Sequence, residues 1–414
     1  MKVLVIGSVY PRFQEDAEVP WLRTSIAHLK KAGAEIQVLA PAYKGLKSHD
    51  IDGTHVNRFR YAPASWEILT HEEGAPSKMA SKPWLQLLAI PYIINGFFQC
   101  IRICRKWRPD VIHAHWPFPH AYIALGAAKL FRIPLVLNFH GAELLLIRKK
   151  KWVKPLLKFA IGQAQAVFAN SSFTAGKIKA IRNVDVEWSP NGTTLEGASL
   201  PLASAANAAS ATPSSGDTPQ LPVPHPVNGK FKILFVGRHI ERKGICYLIE
   251  AAKYLPKDKF EIRIVGVGDL TEQLKQQAAA VSEGAEIIFT GKLSPEALAN
   301  EYKTANVFTL PAIVDHKGDT EGLGVVLIEA MELGLPIIAS NVGGIPDVVI
   351  DGESGILVPE KDPVALADAF KRLEANPTLI QKLLAGARKR IDECFTWDGI
   401  IERQVEVYKR LQRS

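Results

Sequence analysis

The chain has 414 residues, 47% hydrophobic and 22% charged, which suits a globular protein of two domains and excludes a disordered or fibrous one. Its net charge of +8 is uneven: residues 1–190 carry 26 Lys and Arg against 13 Asp and Glu, the remainder 24 against 29. The first half is therefore expected to meet something anionic, a membrane surface or phospholipid rather than nucleic acid, since no helix-turn-helix pattern or aromatic-studded RNA motif is present.

Residues 3–8 read as a strand and turn, not a signal peptide. Residues 21–32 have helical periodicity, closed by Gly33 as a C-cap. Further strands are predicted at 36–40, 56–61, 111–115, 135–140, 166–170 and 186–189. Several are unbroken apolar runs, as strands covered by helices on both faces should be.

Residues 83–101 hold no charge and are long enough to span a bilayer. Gln86, Pro91, Asn95, Gly96 and Gln99 interrupt the run, and spanning would tear the first domain apart. It reads as a helix or helix pair on the sheet, with part of its surface open to a membrane. Arg102, Arg105, Lys106 and Arg108 follow it. A second basic stretch, 148–159, repeats Lys150, Lys154 and Lys158 every four residues, so these should share a helix face suited to anionic lipid.

Residues 194–229 are small, polar and Pro-punctuated, and read as a flexible linker or insertion. The βα grammar then restarts. Strands are predicted at 232–236, 261–265, 286–290, 307–310, 336–339 and 355–358, with helices such as 245–254 and 295–304 between them. Residues 397–411 form an amphipathic helix. The alternation predicts an α/β chain of two doubly wound domains facing across a cleft, 1–193 and 230–396, with ligands beyond the carboxyl ends of the strands.

Chemistry concentrates in residues 319–334. Glu321 and Glu329 flank Gly322-Leu323-Gly324, a turn before a helix starting near Leu323. Free backbone N–H groups there suit a phosphate. Glu329 falls about 7–8 Å farther along the axis at roughly 1.5 Å per residue, the span from a diphosphate to a ribose. Among Val325, Val326, Leu327, Ile328, Ala330 and Met331 it needs a partner, and a ligand hydroxyl would serve.

Gly237-Arg238 ends the strand 232–236, and Lys243-Gly244 opens the next helix. Two cations there would neutralise a diphosphate without a metal, and no GxxxxGK[ST] motif is present. Gly266-Val267-Gly268 reads as a tight turn or a donor contact. Gly291-Lys292-Leu293 reads as a turn or as backbone around a nucleobase. In the first half, His113 and His115 lie on one side of their strand and should pack and hydrogen-bond. His140 ends its strand before Gly141, so its ring can enter the cleft. Cys100, Cys104, Cys246 and Cys394 form no CxxC pair or His/Cys cluster, so a reducing compartment is expected and a zinc site is not.

Val-Gly-Arg with Lys-Gly, Glu-Gly-Leu-Gly-Val-Val-Leu-Ile-Glu-Ala-Met, Val-Gly-Gly-Ile-Pro-Asp and Asp-Gly-Glu-Ser-Gly-Ile-Leu-Val-Pro resemble the signature of glycosyltransferase family 4 (glycosyl transferases group 1). Asp-Val-Ile-His-Ala-His-Trp, Asn-Phe-His-Gly-Ala-Glu and Ser-Pro-Asn-Gly are similar to its N-terminal domain. The likeness covers nearly all of the chain except 194–229. It implies a GT-B fold of two Rossmann-like domains, with 397–414 crossing back to the first. It also implies a retaining, metal-independent transferase with a nucleotide-diphosphate sugar as donor and no cofactor.

By that likeness Arg238 and Lys243 hold the diphosphate, Glu329 binds the ribose and Glu321 contacts the donor sugar. Gly322, Leu323 and Gly324 offer N–H groups to phosphate, with Gly237, Gly266, Lys292 and Leu293 completing the donor site. His140 touches the donor sugar or stabilises the transition state. Residues 7–20 lack the Gly pair that many members carry, so no phosphate contact is assigned to them. The expected acceptor is a lipid-linked or surface glycan in polysaccharide or glycolipid biosynthesis. The enzyme is expected to be cytoplasmic, with peripheral contact at the inner face of the plasma membrane. Two other readings are a soluble synthase of a disaccharide or sucrose type, and a nucleotide-sugar-binding protein without turnover.

Overall fold

Apolar runs and amphipathic segments alternate along the chain, and their strands assemble into two largely parallel sheets. The computed structural model describes residues 1–16, 18–72, 75–193, 229–281 and 283–413. The predicted insertion 194–229 lies outside the described residues, save Gly229. The chain divides into one unit of Met1–Asn191 with Trp397–Ser414 and another of Gly192–Thr396.

In the first unit the strands are β1 Lys2–Ile6, β2 Glu35–Pro41, β3 His49–Ile51, β4 Thr54–Phe59, β5 Val111–His115, β6 Leu135–Phe139, β7 Ala166–Ala169 and β8 Glu187–Trp188. Their order is β3-β4-β2-β1-β5-β6-β7-β8, parallel except for β3 against β4. Every residue of β5 and β6 is buried, because helices cover both faces. Strand β1 divides its side chains by the pleat: Leu4 and Ile6 enter one core, Val3 and Val5 the other.

That second core is closed by the chain's last helix, Trp397–Arg413. Its Trp397, Ile400, Ile401 and Tyr408 pack with Val3, Val5 and Ile26.

In the second unit the strands are β9 Phe231–Val236, β10 Phe260–Val265, β11 Glu286–Gly291, β12 Val307–Leu310, β13 Ile337–Ser340 and β14 Ile356–Val358. The sheet is wholly parallel, in the order β11-β10-β9-β12-β13-β14.

Two expectations are corrected. Strand β3 was not expected, since His-Asp-Ile is no apolar run. It forms because Asp52 and Gly53 both adopt positive φ, 49° and 65°, the tight turn that Asp-Gly favours between antiparallel strands. Lys150, Lys154 and Lys158 do not share one helix. One helix, Ala142–Lys149, stops at Lys150 and a new one, Val153–Ile161, begins. Pro155 has no N–H to give an earlier turn, so it is accommodated only in the first turn of a helix.

Ile401 is buried and its neighbour Glu402 exposed. Ile401→Ala should destabilise the first unit by about 2–5 kcal/mol through the cavity it leaves, and Glu402→Ala by less than about 0.5 kcal/mol. Thermal melts of both full-length variants check this.

Candidate functional site

In the second unit, the chain leaves β9 toward β10 on one side, while β12 leads to β13 on the other. The crevice beyond the carboxyl ends of β9 and β12 is therefore a topological switch point, where open α/β sheets take ligands. The loop after β9 carries Arg238 and ends in a short 3₁₀ turn, Glu241–Lys243. The loop after β12 carries Asp319, Thr320 and Glu321 and leads into the helix Val325–Glu332.

Side chains join the two loops. Lys243 Nζ lies 2.5 Å from Glu321 Oε2, with the two side chains only 11% and 12% exposed. Arg242 Nη1 lies 3.8 Å from the same Glu321 oxygen and donates to the Thr320 carbonyl at 3.3 Å, while its Nε lies 3.5 Å from Asp319 Oδ2. Burial pushes the Glu321 carboxyl up, but Lys243, Arg242 and the Gly322 N–H outweigh it and hold the group below the usual carboxylate range. Glu321 is thus an anion in the fold. Lys243 has spent one of three ammonium donors on it and can direct the others at an incoming anion.

Two glycines let the loops approach. Gly244 has φ +66°, and a Cβ there would lie 1.8 Å from the Pro311 carbonyl oxygen. Gly343, at φ +62°, admits the Glu321 carbonyl, which a Cβ would meet at 2.2 Å. The Gly344 N–H then donates to that carbonyl at 3.0 Å. Arg238 is exposed and makes no ion pair among the described residues. Thr320 is buried, and its hydroxyl has no hydrogen-bond partner among the described residues.

In the first unit, the switch point lies between β1 and β5, and imidazoles gather at the ends of β5 and β6. The Tyr408 hydroxyl lies 2.6 Å from His113 Nδ1. The His113 ring stacks on His115 at 4.3 Å, and His115 Nδ1 lies 3.0 Å from His140 Nε2. Trp21 and Trp116 box the His140 ring at 4.6 and 5.1 Å. Burial lowers His113 and His140 to about 3, so both are neutral near pH 7. His140 Nδ1 is buried without a hydrogen-bond partner among the described residues. Glu143 Oε1 accepts the His140 backbone N–H at 2.8 Å, and burial raises that carboxyl to about 7. Among the described residues, no three His, Cys, Asp or Glu side chains come together to hold a metal ion.

The family described as Glycosyltransferase Family 4 matches residues 22–196, and Glycosyl transferases group 1 matches 218–390. The chain belongs to this glycosyltransferase family. It is 26% identical over 392 residues to the phosphatidyl-myo-inositol mannosyltransferase of Mycobacterium leprae, covering 93% of this chain and 91% of that one. It is 32% identical over 178 residues to an uncharacterized glycosyltransferase of Methanocaldococcus jannaschii, an alignment of less than half of either chain, 43% and 44%. Among solved structures, sucrose-phosphate synthase from Thermosynechococcus elongatus superposes with a TM-score of 0.73 at 21% identity, over 99% of this chain and 98% of that one. Anabaena Alr3699/HepE in complex with UDP superposes at 0.68 and 17% identity, over 99% and 100%. These are GT-B folds, and the two parallel-sheet units are their Rossmann-like halves.

Within this glycosyltransferase, Gly237, Arg238, Lys243, Glu321 and Gly322 stand in the two loops of the β9–β12 switch point. The helix begins at Val325 with Gly324 at φ +88° before it, two residues later than expected. Leu323 is a core side chain, so only its backbone is open to a ligand. Gly266 has a packing role: at φ +124°, a Cβ would lie 2.0 Å from the Gly237 carbonyl oxygen. Lys292 and Leu293 follow β11, the edge strand, two strands from β9. Glu329 is half-buried, and its charge pushes up the buried Tyr302 hydroxyl. Sequence reasoning missed Arg242, whose signal was its place beside Lys243, and Glu143, three residues past His140 in a helix's first turn.

Lys243→Ala leaves the nearly buried Glu321 carboxylate to Arg242 at 3.8 Å and the Gly322 N–H, and should destabilise the second unit by about 3 kcal/mol. Arg238→Ala, at an exposed cation, should cost less than about 0.5 kcal/mol; comparing the thermal melts of the two variants tests the difference. Glu143 has its own signature. Its folded value, about 7, lies above the ordinary 4.5, so its stabilising contribution is full below 4.5 and lost as pH rises through 7. Glu143→Gln should therefore melt above the wild type at pH 8 and converge on it near pH 5.

Proposed function

We propose that this glycosyltransferase moves a sugar, with retention, from a nucleotide-diphosphate sugar to the hydroxyl of a lipid-linked or surface glycan, without a metal or cofactor. The observation that carries the reading is the Lys243–Glu321 pair at the β9–β12 switch point, with Arg242 beside it and Arg238 exposed nearby, without an ion pair among the described residues. Such a site is rich in cations and backbone N–H groups and offers no evident nucleophile. The UDP complex of Anabaena Alr3699/HepE, a protein of the same fold, agrees with a nucleotide donor.

In this reading Arg238 and the free donors of Lys243 hold the diphosphate, with the Gly322–Gly324 backbone N–H groups. Glu321 addresses the donor sugar, Glu329 the ribose, and Lys292 and Leu293 the base. His140, neutral and boxed by two indoles, contacts the sugar. The bond from the anomeric carbon to the diphosphate breaks with its electron pair leaving on phosphate. The acceptor oxygen bonds to that carbon on the same face, and its proton passes to the departing phosphate oxygen. The cations stabilise the charge that develops there. In this reading Glu321 and Glu329 are not a hydrolase acid/base pair, because the Glu321 carboxylate is already engaged by Lys243 and Arg242. The reading places the enzyme in the cytoplasm, working against a membrane.

Thermal shift with UDP-, GDP- and ADP-sugars tests the donor. A ligand at a hundred times its Kd stabilises by about 2.7 kcal/mol, so one nucleotide class should raise the melting temperature by several degrees. With that donor, Arg238→Ala should lower turnover about a hundredfold. If no nucleotide sugar shifts the melt, or if Arg238→Ala turns over within a few-fold of wild type, the phosphate assignment fails.

A further inference from the structure

Between Glu73 and Asp110 the chain has no acidic residue, while Lys78, Lys82, Arg102, Arg105, Lys106 and Arg108 fall in that stretch. Within it a 3₁₀ segment, Pro83–Leu88, runs into the helix Ala89–Trp107. The inner face is committed to the core. Tyr92, Cys100 and Ile103 are buried, and Gly96 packs so closely that a Cβ would lie 2.7 Å from the Ile123 side chain. The helix is thereby held, and its outer face has a defined composition.

That outer face is apolar. Leu87 is 74% exposed, Ile90 65%, Ile94 48% and Phe98 63%. The last three are spaced by four, so they form one row along the helix. Trp84 extends the row, and exposed Trp66 meets it edge-on at 5.5 Å. Single exposed apolar residues are ordinary on a soluble protein; a contiguous row of six is not. Arg102 follows Phe98 by four residues and Arg105 by seven, so the row ends in guanidinium groups on the same side. Lys82 stands at the other end. All three cations are exposed and have no ion-pair partner among the described residues.

Length and hydropathy alone would let Pro83–Trp107 cross a bilayer. Its buried inner face forbids that, so the segment can only lie along a surface. We propose that this face, with Trp66 and Trp84 at its rim, docks flat on an anionic phospholipid bilayer, its apolar row among the upper acyl chains and Lys82, Arg102 and Arg105 on lipid phosphates. Indoles suit the boundary, having an apolar body and one N–H donor. A second copy of this chain is a poorer occupant: pairing the face with itself would bring the Lys82, Arg102 and Arg105 sets together with no carboxylate between them. The inference makes specific the membrane contact proposed above and assigns it to residues 83–105 in place of 148–159.

The test uses full-length protein and flotation with phosphatidylcholine vesicles, with and without phosphatidylglycerol. Wild type should float with the anionic vesicles, and weakly with the neutral ones. Leu87→Glu/Phe98→Glu, at exposed positions that leave the core untouched, should lower partitioning about tenfold or more. Arg102→Ala/Arg105→Ala should lower it about tenfold on anionic vesicles only. Lys154→Ala/Lys158→Ala should change it less than about twofold, on the same per-cation scale.

Equal binding of wild type to both vesicle types, or no binding, overturns the proposal. So does binding that survives Leu87→Glu/Phe98→Glu, or a wild-type dimer in sedimentation that this variant splits. Thermal shift with nucleotide sugars on the same proteins separates the two readings. A donor shift without vesicle binding sinks only the docking face, and vesicle binding without a donor shift sinks only the donor assignment.

Discussion

A nearly buried ammonium needs an anion, and in the second unit Lys243 has found one 78 residues away. The Lys243–Glu321 pair ties the loop after β9 to the loop after β12. Much of the local backbone makes room for it. Gly244 must be glycine to pass the Pro311 carbonyl, and Gly343 must be glycine to admit the carbonyl of Glu321. Arg242 also faces Glu321 and in turn meets Asp319, so two cations and two carboxylates are held together where a doubly wound sheet leaves a crevice. The pair keeps Lys243 anchored while leaving ammonium donors to spare.

The first unit solves a different problem. Its polar side chains at the ends of β5 and β6 are kept uncharged by burial. His113, His115 and His140 are all driven well below the range in which they would ionise near neutrality. Neutral rings can stack and hydrogen-bond in series without mutual repulsion. The series runs from Tyr408, on the last helix, to His140. One unit thus gathers charged side chains at its strand ends, and the other gathers neutral polar rings at its own.

The strands were legible because an apolar run with glycine or a polar turn at its end has few other fates; β5 and β12 fall where the residues predict. Arg238, Lys243 and Glu321 were legible as charged residues just past such strands. That Lys243 and Glu321 hold each other was not, because a bond across 78 residues leaves no local pattern. The Lys150–Lys158 row was misread because periodicity was weighed without Pro155, which sets where that helix can begin. Strand β3 was missed because its signal lay in the Asp52-Gly53 turn rather than in the strand. For Gly266 both readings stood open in the residues; the packing against Gly237 is visible only once the two strands lie side by side.

The last helix belongs to the first unit, so everything between Asn191 and Trp397 is, in chain order, an insertion into that unit. During synthesis β1 emerges almost 400 residues ahead of the helix Trp397–Arg413, yet the core layer of Val3, Val5 and Ile26 waits for Trp397, Ile400 and Tyr408. At roughly 5–20 residues per second, that wait lasts some tens of seconds. The second unit has all of its strands well before then. It is therefore free to close first, while that layer of the first unit stays incomplete until the helix Trp397–Arg413 has been made.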